Sequence, residues 1–259
     1  MDSPDLPAVA ARRSIPRPPR HRPGAEAPWA ALAPELRRRI SLARVRAALE
    51  RDRAARLGER RPPGRTLAGQ VAEGRPAAVL VPLFEEGGES RVVLTVRSDH
   101  LRSHQGEVAF PGGRLEGGEG VVEAALRESA EEVSLDPALV SVIGELTALP
   151  TISSNSVMTP VVAELERRPE LTANPAEVER VFDVALSDLV ADGVFHEEWW
   201  SVPGRVGASG LPDGEFPVWF FEVAGETVWG ATARTLMELL CLVLGVDFPP
   251  SLRAQASAG

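Results

Sequence analysis

The chain of 259 residues has no lysine and no tyrosine, and it has one cysteine. A lone cysteine excludes a disulfide framework and a thiolate cage for a metal. Cys241 lies in the apolar run MELLCLVLGV and reads as a buried free thiol. No run of 18 apolar residues occurs, so no membrane-spanning helix is expected. The first residues lack the apolar segment of a secretory signal, which leaves the cytoplasm as the expected location. Positive charge is also scarce, with 28 cationic against 37 acidic side chains and a net charge of −9. Nucleic acid is therefore not an expected partner, since it needs a basic footprint. Every cation is arginine, which fits GC-rich codon usage better than a dedicated grip on phosphate.

What is present is enough for a packed core: 44% of the residues are apolar. Residues 1–33 are rich in Pro and Arg and read as a disordered arm. Residues 34–75 read as a helix over 34–57, with Leu36, Ile40, Ala43 and Ala47 on its apolar face, followed by a Pro/Gly-rich linker. That helix packs on its own domain or on a second subunit, and a homodimer is compatible with it. The compact domain runs from 76 to 248. AAVLVPLF and RVVLTVRS form a hairpin, and further strands lie at VSVIGELTAL, PVVAELE, HEEWWSV and FPVWFFEVAG. ATARTLMELLCLVLGV closes the domain as a helix, EVERVFDV is ambiguous between helix and strand, and 249–259 is a frayed tail. The order of elements predicts an α/β domain with a mixed sheet and helices on both faces.

The stretch 111–135, PGGRLEGGEGVVEAALRESAEEVSL, carries the chemistry. A helix is expected over 120–133, with Val122, Ala125, Leu126, Ser129 and Val133 on the buried arc. Glu128, Glu131 and Glu132 stand at i, i+3 and i+4 and so share a face, where like charges repel. A divalent cation is the simplest offset. Carboxylate oxygens suit Mg²⁺, Mn²⁺ or Ca²⁺, and such a metal polarises phosphoryl oxygens and acidifies bound water. Arg127 is placed to hold a carboxylate by a bidentate pair. Gly112 and Gly113 permit close approach of a ligand to the backbone. Glu119, just ahead of the helix, reads as structural.

Gly113, Glu119, Arg127, Glu128, Glu131 and Glu132 follow G-x5-E-x7-R-E-x-x-E-E. Six fixed positions arise by chance on the order of 10⁻⁷ per starting point at average residue usage. The chain resembles the Nudix hydrolases. The resemblance implies an α/β/α sandwich and Mg²⁺- or Mn²⁺-dependent cleavage of a diphosphate linked to another moiety. It implies metal binding by Glu128, Glu131 and Glu132, and an orienting role for Arg127, with the general base left open.

A second resemblance narrows the substrate. Leu94, Arg97, Leu101, Arg102, His104, Gly106, Phe110, Pro111, Gly112 and Gly113 follow L-x-x-R-x-x-x-L-R-x-H-x-G-x-x-x-F-P-G-G. This is similar to the coenzyme A pyrophosphatase branch, as are LPTISSNSVMTPVVA and NPAEVERVFDVALSDL. The likeness covers roughly 77–235. It implies hydrolysis of coenzyme A or acyl-coenzyme A to 4′-phosphopantetheine (or its acyl form) and 3′,5′-ADP. Arg97 and Arg102 suit phosphates. His104 suits either donation to a phosphate or a role in holding its loop. Glu177 is an extra metal ligand or base, or a surface acid. Trp199, Trp200, Trp219 and Phe220 form either an adenine pocket or core. The chain departs from the pattern at Ser134, where the box has glycine, and at Glu116, where the branch often has Asp. Two other readings stay open: a Nudix hydrolase of another nucleoside diphosphate derivative (ADP-ribose, NADH, a dinucleotide), and a non-catalytic ligand-binding module.

Overall fold

The computed structural model describes residues 15–58, 74–101, 103–151, 155–202 and 214–249. Its centre is a mixed sheet. Strand β2 (Arg75–Glu86) runs parallel to β8 (Ser156–Leu165) and antiparallel to β3 (Glu89–Arg97). β3 continues to β9 (Val178–Ala185), and β8 continues to β6 (Val140–Glu145) and β7 (Leu149–Thr151). Where β2 and β3 diverge, two short strands enter: β4 (Val108–Ala109) pairs with β3, and β5 (Gly112–Arg114) pairs with β2.

Both faces of this sheet are covered, which is why β2 reads as an unbroken apolar run and does not alternate. Ala78, Leu80 and Phe84 face helix α2 (Val121–Val133), packing with Ala124, Ala125 and Val133. Val79, Val81 and Leu83 face the other way, toward α1 (Leu42–Gly58) and α4 (Gly230–Leu244). The α/β sandwich expected from the sequence is present. EVERVFDV resolves as β9, with the short helix α3 (Leu186–Leu189) after it. Cys241 is buried, with its thiol 3.9 Å from the sulfur of Met237.

A second, four-stranded sheet packs on α4. Its order is β1 (Arg20–Pro23), β10 (Phe195–Ser201), β11 (Glu215–Val223) and β12 (Glu226–Trp229), antiparallel throughout. It corrects the expectation of a disordered arm over 1–33. Residues 1–14 lie outside the described residues, but 20–23 form an edge strand, and Trp29 is 1% exposed between Phe195 and Phe221. Composition misleads here because an edge strand is held by its ladder and needs little apolar content; a single tryptophan then supplies the burial.

The N-terminal helix also differs from expectation. Pro34–Arg37 form only a 3₁₀ turn, Arg39 is left-handed (φ 51°), and the α-helix begins at Leu42. The Ser41 hydroxyl accepts from the N–H of Arg44 at 3.3 Å, a cap that fixes this start. The buried stripe is therefore Leu42, Val45, Ala48 and Leu49, whereas Leu36 is 53% exposed. The helix packs on its own domain, and its arginines bond to it: Arg56 donates to Thr147 and Glu238, and Arg44 to the carbonyl of Val243. The linker over 59–73, the tail from 250 and most of the loop 203–215 lie outside the described residues.

Of the four aromatic residues read as adenine pocket or core, Trp200, Trp219 and Phe220 are buried and Trp199 is partly exposed. Trp219 and Phe220 are core, and the indoles of Trp219 and Trp199 both donate to the carboxylate of Glu197, at 2.8 and 3.0 Å.

Candidate active site

Helix α2 starts at Gly120, whose N–H donates to Glu123 at 2.9 Å. It ends at Ser134, which is left-handed (φ 58°, ψ 30°) with its N–H on the carbonyl of Ala130 at 3.0 Å. Serine thus takes the conformation that favours glycine, and the helix end stays in register.

The three glutamates are not equally placed. The side chain of Glu131 is 56% exposed, that of Glu128 is mostly covered, and Glu132 is buried at 3%. β5 presses against this edge of the helix, and its glycines allow the approach. Gly112 has φ 154°; a Cβ there would lie 2.4 Å from the carbonyl oxygen of Ala78 and 2.5 Å from Cα of Val79, backbone that has no room to yield. A Cβ on Gly113 would lie 2.3 Å from Oε1 of Glu128. The N–H of Gly112 donates to Oε2 of Glu132 at 3.0 Å.

Arg127 sits among the acids. It donates to both oxygens of Glu119 at 2.9 and 3.1 Å, to Glu128 at 3.1 Å, to Glu131 at 3.2 Å and to the carbonyl of Arg114 at 3.1 Å. The bond with Glu119 raises the pKa of Arg127 and lowers that of Glu119. Part of the repulsion among the acids is therefore met by a guanidinium, and Glu119 is the anchor that holds it.

The repulsion is only partly met. Burial raises the pKa of Glu128, opposed by Arg127, while Glu131 and Glu177 add to the rise. Glu132 is pushed up to about 7, first by burial; the Gly112 N–H and Arg97 oppose this, and Glu177 and Glu128 reinforce it. Glu177, some 45 positions along the chain, belongs to the same field. It is carried there by the segment before β9, which caps the end of α2. The N–H of Thr172 donates to the carbonyl of Val133 at 3.0 Å, and that of Asn174 to the carbonyl of Glu132 at 2.8 Å.

The connection from β3 to β4 reaches the acids through Arg97. Nη1 of Arg97 lies 3.8 Å from Oε1 of Glu132, and its Nε has no partner among the described residues. His104 is left-handed (φ 58°), and its Nδ1 lies 2.7 Å from Oε2 of Glu107. That bond is the main cause of a raised pKa for His104. Arg102 lies outside the described residues. Glu107 escaped the sequence reading; the only signal for it was an acid three residues after a histidine, across a glycine turn.

The acids fit a hard divalent cation in kind, being oxygen donors whose mutual repulsion an added positive charge would relieve. They are not gathered in advance: among the described residues no three Asp, Glu, His or Cys side chains converge on one ion position. No helix among the described residues is long and apolar enough to cross a membrane.

Comparison with known proteins gives the following relatives. The NUDIX domain family matches residues 74–204, about half of the chain. Nudix hydrolase 3 of Caenorhabditis elegans is 41% identical over 116 residues, 44% of this chain and 48% of that protein, so the chain spans about half of that relative's length. The NudL Nudix hydrolase of Photorhabdus laumondii is 35% identical over 166 residues, covering 64% of this chain and 83% of that one. NudL of Escherichia coli O7:K1 is 36% identical over 173 residues, covering 66% and 84%. Among solved structures, the Nudix hydrolase RenU of M. smegmatis superposes with a TM-score of 0.39 at 24% identity, covering 46% of this chain and 74% of that one. The domain match and the long alignments with the NudL proteins establish that this chain belongs to the Nudix hydrolases.

Proposed function

We propose that the chain is a metal-dependent diphosphatase acting on coenzyme A or acyl-coenzyme A. The observation that carries the substrate reading is the β3–β4 connection. Two residues of the segment that resembles the coenzyme A branch touch one of the acids: Arg97 lies 3.8 Å from Glu132, and the N–H of Gly112 donates to the same carboxylate. A guanidinium beside the acids, its buried Nε without a partner among the described residues, is a cation of the kind that pairs with phosphate.

In this reading Glu128, Glu131 and Glu132 hold the metal, with Glu177 as a further ligand or base in their field. Bound Mg²⁺ or Mn²⁺ supplies neutralisation of phosphoryl charge and a more acidic water. Arg127, fixed by Glu119, keeps Glu128 and Glu131 at the edge of α2. Arg97, Arg102 and His104 bind substrate phosphates, and Gly112 and Gly113 let the substrate approach the backbone. Water adds across the P–O–P linkage at one phosphorus. The bridging oxygen leaves with the other, so each product keeps one phosphate of the linkage: the products are 4′-phosphopantetheine (or its acyl form) and 3′,5′-ADP, whose second phosphate is the 3′-phosphate that coenzyme A already carries.

The test is to compare turnover of coenzyme A, 3′-dephospho-coenzyme A and ADP-ribose with Mg²⁺, with Mn²⁺ and with chelator. The expected result is fastest turnover of coenzyme A and none in chelator. Equal rates on all three would sink the coenzyme A reading, and activity that persists in chelator would sink the metal site.

A further inference from the structure

The chain from Arg97 to Glu107 is fastened at both ends and at its tip. The N–H of Arg97 donates to the carbonyl of Glu107 at 3.0 Å, and the N–H of Gly106 to the carbonyl of Arg97 at 2.9 Å. The Gln105 amide spans the inside of the loop, donating to the carbonyls of Asp99 at 2.7 Å and Leu101 at 2.6 Å. His104 and Gly106 are both left-handed (φ 58° and 62°), which reverses the chain sharply. A residue with a Cβ takes this backbone conformation at a steric cost. The reversal brings the His104 ring onto the carboxylate of Glu107, Nδ1 to Oε2 at 2.7 Å, with both side chains about one-third exposed. A surface pair in this setting contributes little stability, because water competes with it. It does fix the orientation of the imidazole.

We propose that Glu107 is a positioning residue of this site, holding Nδ1 of His104 so that Nε2 presents an N–H donor to a substrate phosphate. Nδ1 is committed to Glu107, and no described group bonds Nε2. A carboxylate on Nδ1 fixes which nitrogen faces outward and favours the doubly protonated ring, which has a donor at each nitrogen. The charged groups acting on the ring are Glu107, which favours its positive form, and Arg97, which opposes it. The pair lies beside the site by backbone pairing: the N–H of Arg97 donates to the carbonyl of Glu107 at 3.0 Å, and the Arg97 guanidinium reaches Glu132. The proposal rests on the reading of His104 as a phosphate contact. It does not depend on which nucleoside diphosphate is the substrate.

Two measurements on the full chain test it. Imidazole titration by NMR, assigned with His104→Gln, should place His104 above its usual 6.5 in the wild type and lower in Glu107→Gln. Kinetics across pH 6 to 8 on the diphosphate turned over fastest should show KM of Glu107→Gln near that of wild type at the acid end, where both rings carry two protons, and raised about ten-fold where only the wild-type ring keeps them, with kcat within about twofold. Glu107→Asp should recover most of that loss, and thermal melting should not move. An unchanged His104 titration in Glu107→Gln overturns the positioning role. A lowered titration with unchanged KM overturns the phosphate contact and leaves the pairing intact. Loss of the coenzyme A preference alone touches neither result.

Discussion

Two carboxylates in this chain are almost equally hidden, Glu132 at 3% exposure and Glu197 at 6%, and they are treated in opposite ways. Glu197 accepts from the indoles of Trp199 and Trp219 and from the N–H of Ala25 at 3.1 Å, and its side chain fills the space that a Cβ on Gly24 would need. It is a saturated acceptor that clamps the N-terminal segment to the second sheet. Glu132 receives one N–H, from Gly112, and a guanidinium at 3.8 Å, while two further acids press on it. A buried acid left under-satisfied raises the free energy of the fold, and such groups concentrate at functional sites. Depth of burial therefore says little about role; the donors around the acid decide it.

The comparison breaks most readily at the acidic site. Glu131→Gln and Glu132→Gln should each cost on the order of 10²-fold or more in kcat, the scale of losing one charge-stabilising group. Unchanged hydrolysis of every tested diphosphate in Glu131→Gln would remove the proposed site. Glu132→Gln should fold at least as well as wild type. A raised folded pKa on an acid means that the unfolded chain ionises first. In metal-free protein, stability should therefore fall as pH rises from the ordinary 4.5 to about 7, by about 3 kcal/mol at most. Urea melts of wild type and Glu132→Gln between pH 4.5 and 8 check this, and the variant should flatten the slope.

Glu197→Leu should show the reverse pattern. It leaves two indole N–H groups and one backbone N–H without their acceptor, a loss of about 2–4 kcal/mol in urea melts. Hydrolysis should stay within about twofold of wild type. If Glu197→Leu reduced kcat as much as Glu132→Gln does, the division between a structural and a functional acid would fail.

The smallest effect is expected at Ser134. Serine in the left-handed position costs up to about 1 kcal/mol relative to glycine. Ser134→Gly should raise stability by that amount in thermal melts and leave kcat unchanged, because Ser134 caps α2 and bonds none of the acids.

Much of the chemistry was legible because it is local. The spacing of Glu128, Glu131 and Glu132 is a property of one helix, and the Gly-Gly arm lies close by in sequence. The buried Cys241 and the closing helix follow from an apolar run, which has one sensible destination. Boundaries were harder. The α1 start at Leu42 depends on the Ser41 cap and the left-handed Arg39, and neither disturbs hydrophobic periodicity enough to show.

The sequence alone thus determined the family and the common face of the three acids on α2, since these are written in short-range spacing. Only the tertiary structure decided how those acids differ. Glu132 is buried because β5 presses on it, Glu177 joins the field because its segment caps α2, and Arg97 reaches the site from another strand. It also decided that Pro- and Arg-rich residues 15–29 lie ordered on the second sheet, held by a ladder, Glu197 and Trp29. Environment and backbone pairing are long-range quantities, and no pattern along the chain carries them.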